Sequence, residues 1–112
     1  MKILIATDDS EHSRDAVEEF AARLLPSGAE VRIVSVYADT TSIRTEPMGA
    51  LREYYREIEQ NALTSARQAA EHAEKILHRS HPALPVTTKA IEGEPKTVIL
   101  DEAEAFGADL IV

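Results

Sequence analysis

Apolar residues follow two alternating rhythms along this chain. Ile3, Leu4, Ile5 and Ala6 form an unbroken run, the pattern of a strand covered on both faces, and the run empties into Thr7-Asp8-Asp9-Ser10. Helical spacing takes over at once: Ala16, Val17, Phe20, Ala21, Leu24 and Leu25 recur three or four apart, with Glu18, Glu19 and Arg23 between them. The spacing predicts a first helix from about Glu11 to Leu25. Ser10 stands at its N-cap, Asp15 lies near the positive end of its dipole, and Pro26-Ser27-Gly28 stops it. Val31, Ile33, Val34 and Val36 then predict a second strand, again with few polar interruptions.

From Ala38 to Gly49 the pattern has no period and is rich in Thr, Ser and Pro, which predicts a long loop of the kind that forms lids. A long helix follows: Leu51, Tyr55, Ile58, Ala62, Ala66, Ala69, Ala73 and Ile76 share one face, mostly alanine through the middle, so it can lie close against a sheet. Glu71 and Lys75 form an i,i+4 pair on its outer side, and it ends near His78, before His81-Pro82 and Pro85. Val86 to Ile91 predicts a third strand. Pro95 suits a first helical turn and Gly107 the position just past a helix end, with Val98, Ile99, Ala103 and Phe106 as the apolar face between them. Ala108 to Val112 predicts a fourth strand.

The order β-α-β-α-β-α-β, with right-handed crossovers, specifies an α/β fold: an open, mostly parallel sheet with helices on both faces. Ligands of such sheets bind at the carboxyl ends of the strands, so a site is expected at Thr7-Asp8-Asp9-Ser10. Leu110-Ile111-Val112 has the continuous apolar character of an interior parallel strand. The expectation is therefore one domain over 1–112 that continues with at least one further helix and strand, or whose last edge a partner chain covers.

Composition narrows the function classes. At 112 residues the chain makes one small domain, and its formal charge of −8 disfavours a nucleic-acid partner. The sequence has no cysteine, so neither a disulfide framework nor a thiolate metal site is available, and no apolar run approaches the ~18 residues of a membrane span. The amino terminus lacks the long apolar core of a signal peptide, and a cytoplasmic protein is expected.

Thr7-Asp8-Asp9-Ser10-Glu11-His12 contains no glycine, so it is neither a Walker loop nor a Gly-x-Gly-x-x-Gly phosphate cradle. Two carboxylates repel phosphate and accept hydrogen bonds from ribose hydroxyls or a base amino group; the alternative is one helix-capping and one solvated aspartate. His12, Asp39, Arg44 and the cluster Thr40, Thr41, Ser42 are further candidates for ligand contact, each set against a role in a solvated loop or helix start. His78-x-x-His81 has the residue type for a metal but no third ligand nearby, and reads as a helix terminus where His is favoured by the dipole.

Two stretches carry a family resemblance. Ile3-Leu4-Ile5-Ala6-Thr7-Asp8-Asp9-Ser10, with the Ser-x-x-Ala-Val start of the next helix, and Gly93-x-Pro95 through Ala108-Asp109-Leu110-Ile111-Val112 together resemble the universal stress proteins over the whole chain. The resemblance implies a Rossmann-like domain with strand order 3-2-1-4-5, of which this chain holds 3-2-1-4, and a ligand crevice between strands one and four. It implies that Thr7 and Asp8, with Ala6 beside them, line an adenosine pocket and that the backbone at Val36 contacts adenine. The cofactor implied is ATP with Mg²⁺ on its phosphates; the partner implied is a second copy of the chain. The family's Gly-x-x-Gly phosphate loop follows the Asp-Leu-Ile-Val strand and is not in these residues.

Three functions compete on this basis. The first is a stress-response nucleotide-binding or signalling module with at most slow hydrolysis. The second is an ATP-independent member acting as a dimeric interaction module. The third is an adenine-nucleotide hydrolase-like enzyme, whose glycine-rich pyrophosphate loop Thr7-Asp8-Asp9-Ser10 does not supply. A phospho-receiver domain is excluded, since it needs a phospho-accepting Asp after a middle strand.

Overall fold

In a computed structural model, which describes residues 1–38 and 49–112, the first apolar run becomes β1 (Lys2–Ala6) at the centre of the sheet. It is followed by α1 (Glu11–Ala21), β2 (Glu30–Tyr37), α2 (Gly49–Ser80), β3 (Val86–Glu92), α3 (Pro95–Phe106) and β4 (Leu110–Ile111). The strand order is β3-β2-β1-β4 and every pairing is parallel. The order and the element types agree with the sequence pattern.

Alternation along the strands separates the two faces. Ile3, Ile5, Val31 and Ile33 point one way and are sealed by Val17, Phe20 and Ala21 of α1 and by Ala70, Ala73 and Leu77 of α2. Leu4 and Val34 alternate to the other face, where α3 lies, and are equally buried. On the face of Ile3 and Ile33, alanine gives α2 a shallow ridge, so the helix can sit close to the sheet. Among its described side chains the buried ones, Ala66, Ala69, Ala70, Ala73 and Leu77, fall in its second half, because 32 residues span about 48 Å at ~1.5 Å per residue and outrun the strands. The expected Glu71–Lys75 pair is not among the ion pairs formed by the described residues.

On the opposite face α3 is fastened by charge and ring contacts. Phe106 lies under the Arg32 guanidinium at 4.3 Å and near Lys2 Nζ at 5.2 Å, while Glu102 Oε2 meets Arg32 at 3.5 Å and Lys89 at 3.4 Å. Pro95 occupies the first turn, and Gly107 closes the helix at φ +71°, the left-handed geometry expected of a terminating glycine.

Two boundaries differ from the spacing. α1 ends at Ala21, four residues earlier than expected, because the Arg23 N–H turns back onto the Phe20 carbonyl at 3.1 Å. Leu24 is thereby thrown off the apolar stripe and is 98% exposed, although Leu25 still packs against the core. β4 is only Leu110–Ile111, but its hydrogen bonds run further: Asp109 N–H to Lys2 O at 2.7 Å and Val112 N–H to Leu4 O at 2.9 Å. The Asp109 carboxylate also accepts from the Lys2 N–H at 2.8 Å, so the chain clamps β4 to β1 from both sides.

Candidate functional site

β1 ends at Ala6 opposite Val34 while β2 runs on to Tyr37, and the chain leaves β1 by a tight turn that delivers Thr7, Asp8 and Asp9 at the sheet's carboxyl edge. Thr7 is buried; its N–H bonds to Val34 O at 3.0 Å and its hydroxyl accepts the Asp9 N–H at 3.3 Å. The Thr7 hydroxyl proton is therefore free to be donated. Ser10 caps α1 by accepting the Ser13 N–H, as its position in the sequence predicts.

The two aspartates separate sharply. Asp8 Oδ1 accepts the Ser13 hydroxyl at 2.6 Å and the Ser10 N–H at 3.0 Å, and these bonds, Ser13 first, hold its carboxyl down at about 2. Oδ2 takes no part in either bond. Asp9 stands in the left-handed region at φ +63°, which Asp tolerates better than most residues. Its carboxylate takes a two-pronged grip from Arg14, at 2.9 and 3.2 Å, and lies 3.2 Å from His72 Nδ1 on α2. The Arg14 hydrogen bond is the chief reason its carboxyl is held below the usual range. Neither aspartate is a merely solvated group: Asp8 turns toward a crevice, and Asp9 ties the turn to both helices.

That crevice has a volume of about 260 Å³, just under the ~300–1,000 Å³ of typical small-molecule pockets. Its apolar walls are Ala6, Val34 and Val36 from the strands and Pro95 and Ile99 from α3; its polar rim is Thr7, Asp8 and Ser13. All four residues singled out in the sequence, Ala6, Thr7, Asp8 and Val36, line it. Ser13, Val34, Pro95 and Ile99 were not singled out. Val34 shares the face of Val36 by strand alternation and Ser13 lies one helical turn past the cap, so both were in principle legible; Pro95 and Ile99 come from a distant helix near the other end of the chain and were not. The crevice opens over β1 and β2 with α3 as its wall, and its lining residues come from β1, the turn after it, α1, β2 and α3. α3 forms that wall because it crosses beneath the ends of β2 and β1 on its way from one sheet edge to the other.

The remaining candidates resolve differently. His78 Nε2 meets the Leu84 carbonyl at 3.0 Å and His81 Nε2 the Ala21 carbonyl at 2.9 Å, so the pair latches the end of α2 to neighbouring backbone instead of lying fully solvated. No cluster of three metal-ligating side chains occurs among the described residues. His12 is exposed and outside the crevice lining. Asp39, Thr40, Thr41, Ser42 and Arg44 lie outside the described residues. Among the described residues, no helix is long and apolar enough to cross a membrane.

Comparison with known proteins adds a family. The model of the universal stress protein family matches residues 1–112. Among solved structures, the chain is similar to the hypothetical protein MJ0577, with 25% identity, 99% of this chain and 72% of that one covered, and a TM-score of 0.77. It shares its fold with a universal stress protein in complex with cAMP, at 17% identity, 99% and 73% coverage and a TM-score of 0.66. A universal stress protein family protein from Arabidopsis thaliana with AMP bound is comparable, at 17% identity, 99% and 74% coverage and a TM-score of 0.67. No curated protein matches the chain.

Proposed function

This chain belongs to the universal stress protein family, and we propose that it is a stress-response module of the cytoplasm that binds an adenine nucleotide in the β1–β2–α3 crevice and signals rather than catalyses. The observation that carries the reading is the convergence of Ala6, Thr7, Asp8 and Val36 on one cavity of about 260 Å³. Val34, Val36, Pro95 and Ile99 offer apolar surface for a flat base, and Asp8 Oδ2 and the Thr7 hydroxyl offer an acceptor and a donor for a ribose. Solved relatives of the same fold carrying cAMP and AMP support an adenine ligand. ATP would bring Mg²⁺ on its own phosphates, since no three-ligand metal cluster occurs among the described residues.

Asp8→Ala removes the acceptor while Asp9, with Arg14 and His72, still fixes the turn. Calorimetric titration should show AMP binding weakened about tenfold or more, as expected for loss of a charge-assisted hydrogen bond, with circular dichroism unchanged. Equal affinity in wild type and variant would remove Asp8 from the site.

A second reading, an interaction module that works as a homodimer without ATP, is favoured by one observation. Leu110 and Ile111 are 39% and 45% exposed on the β4 edge.

A further inference from the structure

We propose that the groove between α1 and α2 is a second binding site, for a doubly charged oxyanion of the phosphate type, free or as the head of a small monoester. It shares no lining residue with the crevice at the strand ends and does not depend on the adenine reading.

The groove has a volume of about 250 Å³. Its walls are Arg14 and Glu18, one turn apart on α1, and His72, Lys75 and Arg79, which with Ile76 recur three or four residues apart and so share one face of α2. Three permanent cations, Arg14, Lys75 and Arg79, therefore line one depression with one carboxylate, in a chain whose acidic residues outnumber its basic ones by 20 to 12. Ile76, packed against the core, supplies the apolar part of the lining.

Two of the groups are held in place from behind. The Asp9 carboxylate accepts from Arg14 Nε at 2.9 Å and from Nη2 at 3.2 Å. A guanidinium has five N–H donors, so both on Nη1 and one on Nη2 remain for a ligand. An ionised carboxylate only accepts, so His72 Nδ1, 3.2 Å from Asp9, carries its hydrogen toward it and leaves Nε2 outside that bond. The Asp9 bond, followed by the charges of Asp9 and Glu18, raises the Arg14 guanidinium above its ordinary value, so it stays charged. An anion that enters need not order the Arg14 fork, which Asp9 has already fixed.

Lys75 and Arg79 complete the set. Both are exposed, and among the described residues neither makes an ion pair. A fixed guanidinium on α1 and two cations on successive turns of α2 suit an anion with three oxygens and two charges better than a carboxylate, which one cation satisfies. The chain's charge of −8 disfavours a large polyanion, whose remaining charges would lie outside the groove.

The test is an NMR titration of the nitrogen-labelled 112-residue chain with inorganic phosphate, phenyl phosphate and acetate at matched, low ionic strength. Phosphate should shift amides from Arg14 to Glu18 and from His72 to Arg79, and acetate at the same concentration should not. Phenyl phosphate binding tighter than phosphate assigns a monoester whose body rests on Ile76; equal affinity assigns the free ion. Lys75→Gln and Arg79→Gln, made separately at these exposed positions, should each weaken phosphate about three- to tenfold, the loss expected of one charge at about 5 Å in a solvent-like dielectric, and binding should fade as salt rises. Shifts confined to Thr7, Val36 and Ile99 at the crevice, acetate binding as well as phosphate, or folded variants that bind phosphate as the parent does each overturn the proposal; the comparison with acetate needs no variant. Adenosine should bind both variants as it binds the parent. Phosphate in the groove with no adenosine bound at all would remove the adenine reading and leave this site standing.

Discussion

Asp8 and Asp9 are neighbours of identical chemistry, and only their surroundings tell them apart. Asp8 leans on Ser10 and Ser13 and keeps one oxygen out of those bonds, whereas Asp9 is gripped by Arg14 and approached by His72. The two share a consequence in acid. Hydrogen bonds lower the Asp8 carboxyl from its ordinary 3.8 to about 2, and the Arg14 grip lowers Asp9 as well. A group whose folded pKa is depressed stabilises the fold fully above its unfolded value and loses that contribution as pH falls through the folded value. Stability to urea should therefore drop progressively as pH falls from about 3.8 toward about 2, and the slope should flatten in Asp8→Asn. A stability curve of the same slope in both proteins would show that the Asp8 bonds do not survive in solution. At this scale the sequence revealed that a carboxylate stood at the strand end; which one faces the crevice follows from Ser10 and Ser13 holding Asp8 while Arg14, joined by His72 from sixty-three residues away, holds Asp9.

At the scale of elements, the short motif Gly93-Glu94-Pro95 shows how local chemistry fixes a site wall. Gly93 adopts φ +152°, and a Cβ there would stand 2.6 Å from Val98 Cγ2 on the first turn of α3. Pro95 and Ile99, which follow in that helix, are crevice walls. Gly93→Ala should cost about 1–3 kcal/mol in urea unfolding, from overpacking and backbone strain together. Adding Val98→Ala should relieve the overpacking share and leave the backbone share, giving a non-additive double mutant; strict additivity would mean that the two residues do not meet. Elements with strong punctuation were legible in advance: Ser10, Pro95 and Gly107 mark helix boundaries as their side chains and backbone freedom require. The end of α1 was not, because Leu24 continues the 3.6-residue period while the backbone has already turned at Arg23. Apolar periodicity reports what could be buried, and the reverse turn decides what is.

For the molecule as a whole, the central strands are sealed on both faces while the β4 edge keeps Leu110 and Ile111 exposed. An apolar parallel edge is a pairing surface. Sedimentation velocity should show concentration-dependent association of the chain, reduced in Leu110→Lys, whose side chain is already 39% exposed and so can be replaced without emptying the core. A monomer at all concentrations would set aside the dimeric reading. The sequence by itself determined the order of strands and helices, their parallel arrangement and the strand end where a ligand site would form, because apolar period, caps and breakers act over a few residues. The family followed from two motifs at opposite ends of the chain. Only the tertiary structure decided that α3 walls the crevice, that Asp9 ties the turn to α1 and α2, that the His78–His81 pair bonds to neighbouring backbone, and that Glu94 caps α3. Those outcomes depend on which elements a crossover brings together, and distance in space between residues far apart in sequence leaves no local pattern to read.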